Sequence, residues 1–173
     1  QSIFEKEVNS LYALANVGFK NYAFLDLTYR SDVSSTLPTL TNQYDYFSAG
    51  LSAIISDMVE LPSAIDYFKL RASYAEVGND TDPYQLSRAA NLLTGGFIAL
   101  STSAPADNLK PEQTTSLELG FDTTLFNRVN IDFTYYKSNS VDQLFRQNVP
   151  QGSGVSTKFI NGADIENSGI EAA

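Results

Sequence analysis

Three carboxylates, Glu118, Asp122 and Asp132, lie close together in the chain at even positions of two neighbouring apolar-polar runs. Carboxylates brought together on one surface are the equipment of glycoside hydrolysis, with one acid and one base or nucleophile. Glu76, Asp80 and Asp82 crowd the stretch Gly78-Asn79-Asp80-Thr81-Asp82, and such oxygen donors suit Ca²⁺. Lys69 and Arg71, also on a polar face, supply cations, and Gly152-Ser153-Gly154 supplies a flexible tip. Each group also has an ordinary reading, and that reading is preferred. The three carboxylates become polar wall residues, and Lys69 and Arg71 become their ion-pair partners. The acidic stretch becomes an Asx-rich turn leaving a strand. Gly152-Ser153-Gly154 has no strand-to-helix setting that would make it a phosphate loop.

The chain contains no histidine and no cysteine. It therefore offers neither a Ser-His-Asp triad nor a His- or Cys-ligated metal centre. A net charge of −9 over 173 residues, with Lys and Arg scattered singly, argues against a nucleic-acid partner. Charged residues make up 18% and aromatics 12%, a balance suited to a chain with one face turned to lipid. No basic-then-apolar leader is visible at Gln1. The apolar runs are too short for a membrane helix, so any membrane crossing falls to strands.

Alternation of apolar and polar residues recurs along the chain, which is the signature of strands. Leu117, Leu119, Phe121, Thr123 and Leu125 alternate with Ser116, Glu118, Gly120, Asp122 and Thr124. Val129, Ile131, Phe133 and Tyr135 alternate with Asn130, Asp132 and Thr134, and Phe126-Asn127-Arg128 between the runs leaves room only for a tight hairpin. Comparable runs cover residues 22–30, 47–56 and 68–75, with a weaker one over 11–17 and a last one from about Lys158 onward. That makes about seven strands of about 9–12 residues, the length a tilted strand needs to cross a bilayer. Short connections near 18–21, 58–66 and 126–128 alternate with long ones near 31–45, 79–113 and 147–157. Short turns at one rim and long loops at the other are the layout of an outer-membrane barrel. Residues 53–60 and 63–75 carry a weaker helical reading. Pro62-Ser63 is expected to start a short helical turn, and Pro83 to Leu93 a short helix. Tyr22, Tyr29, Tyr46, Phe47, Tyr67, Tyr74, Tyr135 and Tyr136 are expected at interfacial girdles; Tyr44 and Tyr84, placed in loops, stay open between packing and sugar stacking.

Four segments then resemble one family. Asn108-Leu109-Lys110-Pro111-Glu112-Gln113-Thr114-Thr115-Ser116-Leu117-Glu118-Leu119-Gly120 is similar to the element by which TonB-dependent receptors re-enter the barrel from a long outer loop. Phe68 to Asn79, with Arg71, Gly78 and Asn79, resembles a strand of the SusC/RagA-like group, although Ala75 stands where that group usually has Gly. Tyr29 to Pro38 resembles the start of one of its loops, and Asn161 to Glu171, with Gly169 and Glu171, one of its descending strands. The resemblance implies an all-β, antiparallel, up-and-down transmembrane β-barrel of the 22-strand type. Residues 1–173 are then part of one TonB-dependent receptor β-barrel domain, without the plug, the TonB box or the closing C-terminal strand. Such a piece is expected to be stable only when paired with the rest of its barrel.

The family's function, by resemblance, is active import of oligosaccharides or peptides across the bacterial outer membrane, with no enzymatic activity and no cofactor. Implied partners are a SusD-like surface lipoprotein, the TonB complex acting through other parts of the protein, outer-membrane lipid and the remainder of the barrel. Arg71, Gly78, Asn79, Lys110, Pro111, Glu112, Gly120, Gly169 and Glu171 are the motif residues, all expected to be structural. Loops 31–45 and 79–113 are the candidates to touch substrate or lid. Two rival readings remain: a passive porin or adhesion barrel, and a soluble β-sandwich that binds carbohydrate.

Overall fold

A computed structural model describes residues 4–106 and 108–173, so Asp107 of the longest loop lies outside the described residues. The seven runs read from alternation are seven long strands: β1 (Val8–Phe19), β2 (Ala23–Ser34), β3 (Gln43–Ile54), β4 (Ile65–Asn79), β8 (Glu112–Leu125), β9 (Val129–Asn148) and β10 (Thr157–Ala172). Three short ones, β5 (Ala90–Leu92), β6 (Ile98–Leu100) and β7 (Ser103–Ala104), sit in the connection between β4 and β8. The long strands run 12 to 20 residues, longer than the alternation alone marked out, because pairing continues past the apolar stretch into polar sequence. They form one open sheet in the order β1-β2-β3-β4-β8-β9-β10-β7.

All contacts between long strands are antiparallel and sequential, as an up-and-down sheet requires. The exception is β7, which pairs parallel with the start of β10 at Thr157 and Lys158. Pro83 to Leu93 forms no helix; turns lead into β5 there. Pro62-Ser63 makes a single turn closed by the Ile65 N–H on the Pro62 carbonyl at 2.9 Å, and the 3-10 turn of this region stands earlier, at Ile55–Asp57. Residues 65–75, the second helical alternative, are strand.

The short-turn rim is built by the chain's least comfortable backbone. Lys20 and Asn21 (φ 48 and 62), and Phe126 and Asn127 (φ 52 and 53), take the paired positive φ that matches hairpin turns to strand twist. The Asn127 N–H also donates to Asp66 Oδ2 at 2.5 Å, which ties this turn to β4.

Register sorts the side chains. One face carries Leu25, Leu27, Tyr29, Phe47, Leu51, Leu70, Tyr74, Leu117, Leu119, Phe121, Phe133 and Tyr135. Its rings touch across strands: Phe68 to Phe121 at 5.9 Å, Phe121 to Phe133 at 5.3 Å, and Phe47 to Tyr74 at 5.4 Å. On β4 this face runs from Ile65, past a bulge at Asp66, to Tyr74, with Glu76 beyond it. About ten residues at about 3.3 Å each span about 33 Å along the strand, which would stand about 25 Å tall at the roughly 40° tilt of membrane barrels. Of the tyrosines expected in girdles, Tyr29, Tyr74 and Tyr135 are on this face. Tyr46, Tyr67 and Tyr136 are not: register puts them on the polar face, because each lies one residue out of step with the apolar set. Tyr44 shares that polar face at the end of β3, and Tyr22 packs edge-on to Phe19 in a turn at 5.6 Å.

The buried apolar residues are not in the wall. They are Leu37, Ala106 and Leu109, all in the long loops, with Tyr44, Leu86, Leu144 and Phe159 packed around them. A single-layer sheet has nothing behind it to bury against, so among the described residues the core forms where loops fold over the rim.

Candidate functional site: the polar face and the long-loop rim

Arg71 organises the polar face. Its Nη1 donates to Asp122 Oδ1 at 2.9 Å, and its Nη2 donates to Asp132 Oδ1 at 2.6 Å and to Thr134 Oγ1 at 2.7 Å. Asp122 and Asp132 stand directly opposite each other on β8 and β9, a like-charge pair that costs energy unless a cation bridges it. Lys69 Nζ adds a looser contact to Asp122 at 4.0 Å. Two of the three carboxylates weighed for glycoside hydrolysis are thus held by one guanidinium. Glu118 lines a neighbouring hollow of about 250 Å³ with Asp26, Gly50, Ser52, Lys69 and Gly120.

Gly120, directly opposite Arg71, is the floor that lets the guanidinium lie across the sheet. A Cβ there would sit 2.6 Å from Arg71 Nε and 2.8 Å from the Phe133 carbonyl oxygen. Gly169 does the same for Tyr136, its cross-strand partner, whose hydroxyl oxygen would be 2.6 Å from a Cβ. The Tyr44 ring covers Gly78 likewise, above the point where β3 and β4 stop pairing at Ser48 and Ala75. Glu171 stands on the polar face two residues beyond Gly169, opposite Thr134.

The remaining motif residues meet at the long-loop rim, around a bulge. Asp142 takes φ 54, and the β9–β10 register slips between Ile165 and Ala163 and again between Ala163 and Asn161. A bulge orphans ladder groups, and buried orphans must find partners. Here the Leu144 N–H donates to Glu112 Oε1 at 2.7 Å, and Asn161 Nδ2 donates to the Asp142 carbonyl at 2.7 Å. Asn161 also brackets the Lys110 backbone, accepting its N–H and donating to its carbonyl, both at 2.9 Å. Asn79 Nδ2 donates to Glu112 Oε2 at 3.1 Å. Pro111, between Lys110 and Glu112, has no N–H to place at this strand start. Four segments far apart in sequence thus close one joint. Asp142 and Leu144 are its unforeseen members, joined by Asn161, which opens one of the family-like segments; the mark in the sequence is Asp142 interrupting an otherwise strand-like run.

The two candidate loops pack on each other. Asp32, Ser34 and Thr36 are buried, and Thr41 Oγ1 donates to the Leu109 carbonyl at 2.7 Å. Asp80, just past β4, accepts from Lys6 Nζ at 2.5 Å and from the Ser34 hydroxyl. Burial pushes the Asp80 carboxyl up, but the hydrogen bonds from Lys6 and Ser34 and the charge of Lys6 outweigh it and hold it below the usual carboxylate range. Glu76 instead accepts from the Tyr74 hydroxyl at 2.7 Å. Among the described residues no three acidic side chains are arranged to hold a metal ion.

Known proteins share this architecture. Residues 2–173 match the model of the family described as "TonB dependent receptor-like, beta-barrel". TonB-dependent receptor P3 of Formosa agariphila is 31% identical over 180 residues, covering 96% of this chain and 18% of that protein. TonB-dependent receptor P39 of the same organism is 28% identical, with 96% and 17% covered. The chain therefore spans less than a fifth of the length of the curated relatives it matches. The RagAB peptide transporter shares the fold at TM-score 0.82 and 22% identity, over 96% of this chain and 19% of that one. The siderophore receptor PirA of Pseudomonas aeruginosa does so at TM-score 0.67 and 17% identity, over 96% and 30%. With the family model matched from end to end, the chain belongs to the TonB-dependent receptor-like β-barrel family.

Proposed function

We propose that these residues are barrel wall and outer loops of an outer-membrane active transporter of the SusC/RagA-like group, importing oligosaccharides or peptides. In this reading residues 1–173 are one stretch of a larger barrel domain. The apolar face meets outer-membrane lipid, and the polar face lines the lumen. TonB drives uptake through parts of the protein outside this stretch, a SusD-like lipoprotein covers the long-loop rim, and no reaction is catalysed. The observation that carries the reading is the continuous apolar face, from Ile65 to Tyr74 on β4, on a sheet matched to the family throughout.

The full-length receptor, expressed in its own host, tests it. The protein is expected in the outer-membrane fraction, extractable only with detergent. Uptake of labelled oligosaccharides or peptides is expected to stop when the TonB-interacting segment is deleted. Uptake that persists without it supports a passive barrel instead, and release into plain buffer supports a soluble module.

A further inference from the structure

Tyrosines on the lipid side of a barrel anchor it at the interface, and tyrosines on the polar side need another reason. Pairing across β1, β2 and β3 sets Tyr12, Arg30 and Tyr46 side by side in one row of the polar face. Ser10, Asp32 and Tyr44 form the next row, just inside the long-loop end of β2. Leu14, Thr28 and Ser48 form the row on the other side. One carboxylate fixes the block. Asp32, only 3% exposed, accepts from Arg30 Nε at 2.8 Å and from the Tyr46 hydroxyl at 2.7 Å. Arg30 Nη2 donates to the Ser10 hydroxyl at 3.1 Å, and the guanidinium carbon lies 5.8 Å over the centre of the Tyr46 ring. The Tyr44 ring stacks on Tyr46 at 6.1 Å and 18°. A guanidinium carries five N–H donors. Asp32 and Ser10 take one each, and the others have no partner among the described residues. Beside this cation Tyr12 is 69% exposed and Leu14 64%.

We propose that this block is a binding subsite for a neutral oligosaccharide, with one sugar ring laid on Tyr12 beside Arg30. The inference rests on the transporter reading above and chooses between its two classes of cargo. Three observations favour a neutral sugar. The only charges in the three rows are Arg30 and Asp32, which are paired with each other, so the block is neutral within a chain of net charge −9. A charged cargo would find no free counter-charge there. A sugar ring also presents C–H groups on its faces and hydroxyls at its rim, and it needs an apolar surface ringed by fixed polar groups. Tyr12 and Leu14 supply the surface. Arg30 supplies donors, and Thr28 and Ser48 supply a pair of hydroxyls 2.6 Å apart. Finally, an extended peptide is gripped through open ladder groups, whereas β2, the middle strand, has its ladder closed by β1 on one side and β3 on the other. Asp32, buried behind Arg30 and Tyr46, holds both in place before any ligand arrives.

The test uses the full-length receptor, purified in detergent and presented to an array of neutral and charged oligosaccharides and to a library of short peptides. Heat-modifiable migration of each variant first establishes that a closed barrel has formed. The unaltered receptor is expected to capture neutral oligosaccharides. Tyr12→Ala and Arg30→Lys, each a check on the other, are expected to weaken capture of the best of them by about tenfold or more, and Tyr12→Phe to keep it. Tyr29→Ala, next to Arg30 in sequence but on the opposite face, is expected to leave capture unchanged. Capture of peptides or charged oligosaccharides alone overturns the proposal. So does the capture of no oligosaccharide at all, or capture of a neutral one that Tyr12→Ala and Arg30→Lys leave intact. A receptor that never shows a heat-modifiable barrel overturns the reading beneath it, and the two failures are distinguished by that migration.

Discussion

Arg71 lies flat across Gly120, its cross-strand neighbour, with Nε 2.6 Å from where a Cβ would be, and reaches past it to Asp122 on β8 and Asp132 on β9. The glycine is what lets one side chain serve three strands. Gly120→Ala is expected to destabilise the folded receptor by about 1–3 kcal/mol, because the new methyl meets the Phe133 carbonyl as well as Arg71. Gly169→Ala meets first the Tyr136 side chain, which can swing away, so its cost should be smaller and relieved by Tyr136→Ala. Thermal melts of the detergent-solubilised receptor rank these variants; equal costs for the two glycines would contradict the account.

Removing the guanidinium leaves Asp122 and Asp132 facing each other. Arg71→Met should cost on the order of 1 kcal/mol, the scale of an uncompensated like-charge pair on a partly solvated sheet. Adding Asp132→Asn should restore part of the loss. A double-mutant cycle on unfolding midpoints measures the coupling, and a value near zero would remove Arg71 from its bridging role.

At the bulge, Glu112 is the acceptor for the Leu144 N–H. Glu112→Ala orphans that donor and should cost about 1–3 kcal/mol, whereas Glu112→Gln keeps an acceptor and should cost less. Amide hydrogen exchange at Leu144 reads the effect directly: faster exchange in the Ala variant, near-native exchange in the Gln variant.

Asp80 makes the rim sensitive to acid. Its carboxyl is depressed in the folded state, so the ionised form is what the fold stabilises. The contribution is fully present above about pH 4, the unfolded carboxyl's range, and is lost as pH falls through the lower folded value. Asp80→Asn should lower stability at neutral pH and flatten its decline in acid. Melting the receptor across that range, with Ser34→Ala as a second probe of the same network, checks the prediction.

The strands are legible in the sequence because wall residues obey one rule, alternation, with no competing core to break it. From Leu117 to Leu125 and from Val129 to Tyr135, odd or even position alone assigns each side chain its face. The same simplicity misleads where position rather than type decides: Tyr46 and Tyr136 look like girdle residues, yet one step of register turns them to the polar face. The rim is only partly legible. Its motif residues are visible as a pattern, but the joint depends on Asp142 taking positive φ and on Asn161 reaching Lys110, contacts between segments about 20 to 50 residues apart. The β7–β10 pairing leaves no mark at all, since two residues of Ser and Ala carry no periodicity.

A wall one residue thick, with a core up in the loops, also separates two kinds of adaptation. Leu119 and Glu118 are neighbours in sequence, yet each belongs to a different face. Substitutions can accumulate at one set of alternate positions while the other set stays fixed, with little interference between them. The places where that freedom ends are the glycine floors under Arg71 and Tyr136, where a change on one strand is felt at once by the next.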